Sequence, residues 1–211
     1  MKVESIEQTR SPSGKLRVRF DDGSNMLIFP AVLAEHGIYS GMELPKAALE
    51  SLRESNASAS AKDRAVRIVS ATSVSKKELE KRLVQKGESE ENAKQAVSWL
   101  SELKLLDDAQ VAQQIVRNGL ARGYGAARIR QMLYEKRVPK EYWDEALSDL
   151  PSQDDAIDTF LQRRFHGKKP DRAECKRATD ALLRRGHSWN DIRRALERYA
   201  PEEEFYGDEF I

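Results

Sequence analysis

Polar and apolar residues follow two different rhythms along this chain. Over residues 2 to 29 the period is two. Val3-Glu4-Ser5-Ile6 precedes a Ser11-Pro12-Ser13-Gly14 turn, and Leu16, Val18 and Phe20 then alternate with Arg17 and Arg19 before Asp22-Gly23. Such alternation sets one face of each strand in a core and the other in solvent. A third run, Met26-Leu27-Ile28-Phe29, stops at Pro30. These features predict a small antiparallel β-sheet, capped by short helices near residues 31 to 36 and 45 to 54, with a core too small to make an enzyme by itself. Ser55-Asn56-Ala57-Ser58-Ala59-Ser60 is small and polar, as linkers and helix starts are, and we set a domain boundary there. From Ala61 the spacing changes to three and four, as in Ala65, Ile68 and Val69 and later Leu79 and Leu83. That period reads as amphipathic helix to about residue 200.

The helical part repeats itself. Lys81-Arg82-Leu83-Val84-Gln85-Lys86-Gly87 aligns with Gln131-Met132-Leu133-Tyr134-Glu135-Lys136-Arg137 and with Asp180-Ala181-Leu182-Leu183-Arg184-Arg185-Gly186, at offsets of 50 and 49 residues. Downstream, Ser89, Ala93, Ala96 and Val97 meet Pro139, Trp143, Ala146 and Leu147, then Ser188, Ile192, Ala195 and Leu196. A period near 50 residues with three helices per unit predicts three tandem three-helix modules in an elongated, curved, mainly α array behind the β-rich start. The expected division is 1–56 (sheet and short helices), 57–106, 107–151 and 152–200 (the three repeats), and 201–211 (an acidic tail). First helices are expected over about 61–72, 107–121 and 152–166. Second helices follow at 75–87, 125–137 and 170–186, and third helices at 89–104, 139–149 and 188–199. Ser75 with Glu78, Ser89, Asp107, Pro139 and Ser188 with Asp191 mark helix starts. Gly87 and Gly186 stand where a helix must stop and turn.

Composition narrows the function classes. Charged residues make up 34% of the chain, aromatics only 7%, and the mean hydropathy is -0.69, which suits a repeat with much surface per residue better than a compact enzyme. Lys plus Arg at 36 against Asp plus Glu at 35 leaves a net charge of +1, so the whole-molecule field gives no reason for nucleic-acid binding and only local clusters can argue for it. Cys175, the single cysteine, forms no internal disulfide and reads as a small core residue. With no run long enough for a signal peptide or membrane span, a cytoplasmic location without membrane contact is expected.

Two regions concentrate positive charge. Between Arg117 and Arg130 lie Arg117, Arg122, Arg128 and Arg130 with no acid, and Gly123 and Gly125 in that stretch would let backbone N–H groups at a helix start approach an anion; the plainer reading is a glycine-eased turn. Residues 152 to 200 carry twelve basic against eight acidic residues, with Arg163, Arg164, Lys168 and Lys169 in one cluster and Arg184, Arg185, Arg193, Arg194 and Arg198 in another. Together they are candidates for binding phosphate or an acidic protein face. Taken singly, each suits a solvated helix with pairs such as Arg193 to Glu197. Second and third helices also outline a helix-turn-helix, but the third helices offer Glu90, Glu91 and Lys94, then Lys140, Glu141, Asp144 and Glu145, and carboxylates repel phosphate.

No catalytic residue, metal ligand set or cofactor site is expected. His36, His166 and His187 lie in separate contexts, each as a surface or turn residue. Asp107-Asp108 reads as an N-cap and first-turn charge, and Trp99, Trp143 and Trp189 as packing anchors. The acidic, aromatic tail at 202–210 would suit a basic surface, its own or a partner's, or simply fray.

Leu105-Leu106-Asp107-Asp108, a helix ending near Arg117, the arginine-rich glycine turn, and Arg128-Ile129 with Leu133 and Lys136 resemble the central motif of the RecX family. The resemblance extends over about residues 60 to 200 and includes the tandem repeat. Val111 stands where the family usually has Phe, which reduces aromatic packing, and Arg137 where it usually has Gly, which alters the turn. The first 55 residues are similar to an extension found in some members. The resemblance implies a non-enzymatic regulator of homologous recombination, DNA repair and the SOS response. It would lie in the groove of a RecA filament and restrain it by blocking extension or promoting disassembly. A monomer is expected separately, since an extended binder gains area from its modules without self-association. Arg117, Arg122, Arg128 and Arg130 and the third-repeat clusters would face acidic RecA surface or phosphate, with contact to single- or double-stranded DNA left open. The alternatives are a helix-turn-helix transcriptional regulator, which needs a preferred DNA sequence, a scaffold unrelated to recombination, and an enzyme.

Overall fold

The computed structural model describes residues 1–10, 14–148 and 150–200. Most of the expected Ser11-Pro12-Ser13-Gly14 turn, Asp149 at the end of an expected helix, and the acidic tail therefore lie outside the described residues. The chain is mostly helical behind a three-stranded antiparallel sheet, and it divides into two compact units. One comprises Met1–Ser73 and Leu79–Leu106; the other comprises Val74–Glu78 and the chain from Asp107 onward.

In the first unit, β1 (Val3–Gln8), β2 (Leu16–Phe20) and β3 (Asn25–Ile28) lie in that order. Ile6 faces Val18, and Leu16 faces Ile28. Val18 and Phe20 are buried while Arg17 and Arg19 are exposed, as the alternation demands. The buried face packs on α1 (Pro30–Glu35) and on Leu49 and Leu52 of α2 (Lys46–Ala71).

The separate helices expected at 45 to 54 and 61 to 72 are one helix of 26 residues. No glycine or proline interrupts residues 46–71, and the alanines and serines of 55–60 are tolerated within a helix once packing supports it. Asn56, which suggested a linker, reaches out of the helix. Its amide donates to the Leu27 carbonyl at 3.0 Å and accepts from the Phe29 N–H at 3.2 Å, which ties α2 to the end of β3. Further along, Ala61 and Ala65 are fully buried, and small side chains there let α4 (Glu90–Glu102) pack along α2. The helix between them in sequence, α3 (Lys76–Gln85), buries Leu79 and Leu83.

The second unit carries α5 (Asp108–Ala121) and α6 (Ala126–Glu135), a 3₁₀ turn at Lys140–Tyr142 leading into α7 (Trp143–Ser148), then α8 (Asp154–Phe165), α9 (Arg172–Arg184) and α10 (Trp189–Leu196). Val111, Ala112, Ile115, Leu133 and Val138 form one core, with Tyr142 and Trp143 packed against it; Ile157, Leu161, Phe165, Leu182, Ile192 and Leu196 belong to another. Tyr142 and Trp143 thus supply aromatic packing beside Val111.

The turns between second and third helices are built alike. Gly87, Arg137 and Gly186 occupy equivalent positions with φ of 92°, 55° and 83°. In each turn the next residue donates back to a core leucine carbonyl: Glu88 to Leu83, Val138 to Leu133 and His187 to Leu182, at 3.1, 3.1 and 3.2 Å. Arg137 therefore does not alter the turn; it adopts the left-handed conformation despite its Cβ, a strain of roughly 1–2 kcal/mol. Among the tryptophans, Trp99 lies half-buried beneath the Lys62 ammonium and Trp143 donates to the Val138 carbonyl at 3.0 Å. Trp189, the first residue of α10, is 42% exposed and is the least covered of the three.

Candidate functional site

The glycine turn between α5 and α6 joins the second repeat to the third. The Gly125 N–H donates to the Arg185 carbonyl at 2.9 Å and the Ala127 N–H to the Gly186 carbonyl at 3.2 Å. The buried His187 adds a bond from Nε2 to the Gly123 carbonyl at 3.1 Å. A carbonyl only accepts, so Nε2 carries the proton and Nδ1, buried without a partner among the described residues, is bare. Burial, with the neighbouring Arg185 charge, holds the His187 pKa below its ordinary value. The N–H groups of Gly125 and Ala127 that the sequence offered to an anion are thus spent on backbone carbonyls. Glycine is required there because backbone approaches backbone, not because a ligand approaches it.

What that joint does create is a cleft of about 820 Å³ beside it. Arg122 comes from the end of α5, Arg163 and Arg164 from the last turn of α8 and Arg185 from the end of α9, with His166 alongside and Asp155 as the single carboxylate in the lining. Each guanidinium is set differently. Arg185 lies 4.9 Å over the Phe160 ring and reaches the Arg122 carbonyl at 3.5 Å, so it is held in place. The Arg122, Arg163 and Arg164 side chains are exposed and have no ion-pair partner among the described residues. Four clustered cations against one acid give a locally positive surface on a nearly neutral chain.

The remaining candidates lie elsewhere. Arg117 is exposed on α5 and bonds to Gln114 at 2.9 Å. Arg128 pairs with Glu135 at 3.3 Å, and Arg130 is exposed on α6. Lys168 and Lys169 are exposed in the loop after α8, and Arg184 is exposed at the end of α9. Arg193 pairs with Glu197 at 3.0 Å, Arg194 with Asp191 and, at 3.7 Å, with Asp154, and Arg198 with Asp158 at 2.5 Å. Arg193, Arg194 and Arg198 are thus balanced by carboxylates, whereas the cleft is not. Sequence reasoning missed Phe160 and Asp155, whose places depend on a packing between helices that no spacing encodes.

Two other expectations are refined. Asp107 caps α5, accepting from the Ala109 and Gln110 N–H groups, but Asp108 is only 3% exposed and is more than a first-turn charge. It accepts from the Lys76 N–H at 2.9 Å, at the start of α3, where Ser75 accepts from Glu78 and donates to the Lys136 carbonyl. Burial raises its pKa. His36 bonds to Ser55 at 2.9 Å and His166 ends α8 in the left-handed region, both at turns as expected, whereas His187 is in a turn but buried. Cys175 is buried in α9. Among the described residues, no three His, Cys, Asp or Glu converge as a metal site, and no helix is long and apolar enough to cross a membrane.

Comparison with known proteins places this architecture. Residues 107–147, α5 through α7, match the family described as RecX, second three-helix domain. The regulatory protein RecX of Stenotrophomonas maltophilia is 36% identical over 132 residues, covering 61% of this chain and 80% of that protein. This chain belongs to the RecX family. A second RecX, from Clostridioides difficile, is 24% identical over 209 residues, 96% of this chain and 98% of its own length, so its similarity includes the sheet-bearing start. The fold agrees as well. A crystal structure of a regulatory protein RecX superposes with a TM-score of 0.66 at 20% identity over 93% of this chain and 98% of its own. RecX from Lactobacillus salivarius gives 0.60 at 19% identity over 69% and 97%. The Stenotrophomonas and Clostridioides relatives are named regulatory proteins, and membership carries a regulatory role in that general sense.

Proposed function

We propose that this chain binds the RecA recombinase filament and restrains its assembly, its strand exchange and its ATP hydrolysis, without catalysing a reaction itself. Membership of a family of regulatory proteins supports a regulatory role. The observation that supports a contact there is the cleft of Arg122, Arg163, Arg164 and Arg185, candidate arginines that come together with Asp155 as the single carboxylate in the lining. Such a surface meets acidic side chains of a filament or the phosphates of the DNA it encloses. Its arginines come from two repeats, so a partner seated there engages both.

A helix-turn-helix regulator of transcription fits less well. The helix that would enter the major groove is broken in the second repeat into a 3₁₀ turn and six residues bearing Asp144 and Glu145. In the third repeat its arginines are engaged by Asp154, Asp158, Asp191 and Glu197, which leaves few donors for base edges. The test is RecA-dependent ATP hydrolysis on single-stranded DNA, with this protein added after filaments form. Inhibition at substoichiometric amounts supports capping or disassembly; no effect, together with tight binding to one duplex sequence, overturns the reading in favour of transcription.

A further inference from the structure

A second basic concavity lies in the first unit, among residues that the proposed filament contact does not use. Between the end of α2 and α3 runs a groove of about 420 Å³ walled by Arg64, Arg67, Arg82 and Lys86, with Ile68 and Ala71 between them and no carboxylate in its lining. We infer that this groove binds the sugar-phosphate backbone of a nucleic acid, independently of base sequence.

Three features carry the inference. First, charge is dense there: Arg64 and Arg67 are one turn apart on α2, and Lys86, just past the end of α3, follows Arg82 by four residues. A nucleic-acid strand, with one phosphate per 3.4 Å of helix axis, is the polyanion that matches such a density. Second, the acids that hold Arg64 and Arg67 are not part of the groove lining. Glu88 accepts from Arg64 at 2.8 Å with its own side chain 9% exposed against 39% for the arginine, so the carboxylate orients the guanidinium while leaving it accessible. Arg67, at 61% exposure, pairs with Asp63 one turn behind it, a surface pair of little strength that phosphate readily replaces. Third, no aromatic side chain lines the groove. Protein interfaces are anchored by buried aromatic residues, and no Asn or Gln stands in the groove to read an adenine edge; cations alone suit backbone phosphate.

The experiment is fluorescence anisotropy of the full chain with a labelled single-stranded oligonucleotide across a salt series, without any recombinase. It is therefore decided separately from the filament reading. The variant is Arg67→Gln with Lys86→Gln, both exposed and away from the Arg64–Glu88 bond, with the circular dichroism spectrum and melting temperature as controls for folding. Loss of two phosphate contacts is expected to weaken binding at least tenfold at low salt and to make the slope of log affinity against log salt shallower by about 1.4. An Arg163→Gln, Arg164→Gln variant serves as the comparison, and the groove variant must lose affinity in that background too. The inference is overturned if the parent chain binds no oligonucleotide, if the groove variant keeps the parent's affinity and slope, or if polyglutamate displaces the oligonucleotide as well as unlabelled DNA does at equal charge.

Discussion

A methyl group on Gly125 would sit 2.2 Å from the carbonyl oxygen of Gly186, and one on Gly186 would sit 2.2 Å from the backbone nitrogen of Arg128. The second and third repeats meet main chain to main chain, with no room for a single carbon.

Gly125→Ala is therefore expected to destabilise the second unit by about 1–3 kcal/mol through overpacking against immobile backbone. Gly186→Ala should cost more, because its left-handed φ adds about 1–2 kcal/mol to the clash. Gly87, equivalent in the first repeat, has open space around its Cβ position, so Gly87→Ala carries the φ cost alone. Chemical denaturation of the three variants checks the order; an equal loss at Gly87 and Gly186 would show that contact between repeats is not what selects glycine.

Charge reversal in the cleft should act on function without acting on the fold. Arg122→Glu, Arg163→Glu and Arg164→Glu together are expected to abolish inhibition of RecA-dependent ATP hydrolysis while leaving helical content unchanged, since these side chains are exposed. Arg193→Gln with Arg194→Gln, which removes cations already engaged by acids, should change inhibition less than threefold. Titration of each variant into preformed filaments makes the comparison.

His187 should make stability depend on pH in one direction. Its pKa is lowered in the folded state from an ordinary 6.5, so the unfolded chain binds the extra proton first. Its contribution is fully present above pH 6.5 and is lost as pH falls from there through the lower folded value. His187→Gln retains a donor toward Gly123 and should flatten that part of the curve. Urea melts at intervals between pH 5 and 8, compared for the two chains, measure it.

Asp108 works with the opposite sign. Its folded pKa is raised from 3.8 by burial, so the folded state holds its proton more tightly, and the stabilisation from the protonated form is lost as pH rises through the folded value. Asp108→Asn keeps an acceptor for the Lys76 N–H without burying a charge, and should match or exceed the parent's stability at pH 7. Asp108→Ala leaves that N–H without its acceptor and should cost about 1–2 kcal/mol. Thermal unfolding of both at pH 7 separates charge burial from capping.

The repeat was legible in the sequence because packing within each module obeys local rules. Leu83, Leu133 and Leu182 are all buried, and the turns after them fall where the alignment set them. Strand alternation located β2 and β3 to within a residue. The long α2 was not legible, because whether Ser58 and Ser60 continue a helix is decided by α4 packing alongside, which local propensity does not contain. The cleft was legible only in part: the arginines stood out as charge, but which of them converge depends on the joint at Gly125 and Gly186. That contact spans about 60 residues of sequence, and the balancing acids Asp154 and Asp158 lie about 40 residues from their arginines.

Because the bonds at this joint from Gly125 and Ala127 are made by main-chain groups, the close approach of the two repeats is written first in two missing side chains. The exposed Arg122, Arg163 and Arg164 can be exchanged by mutation without touching the bonds that set the walls. A surface of that kind can be retuned in charge while its spacing stays constant.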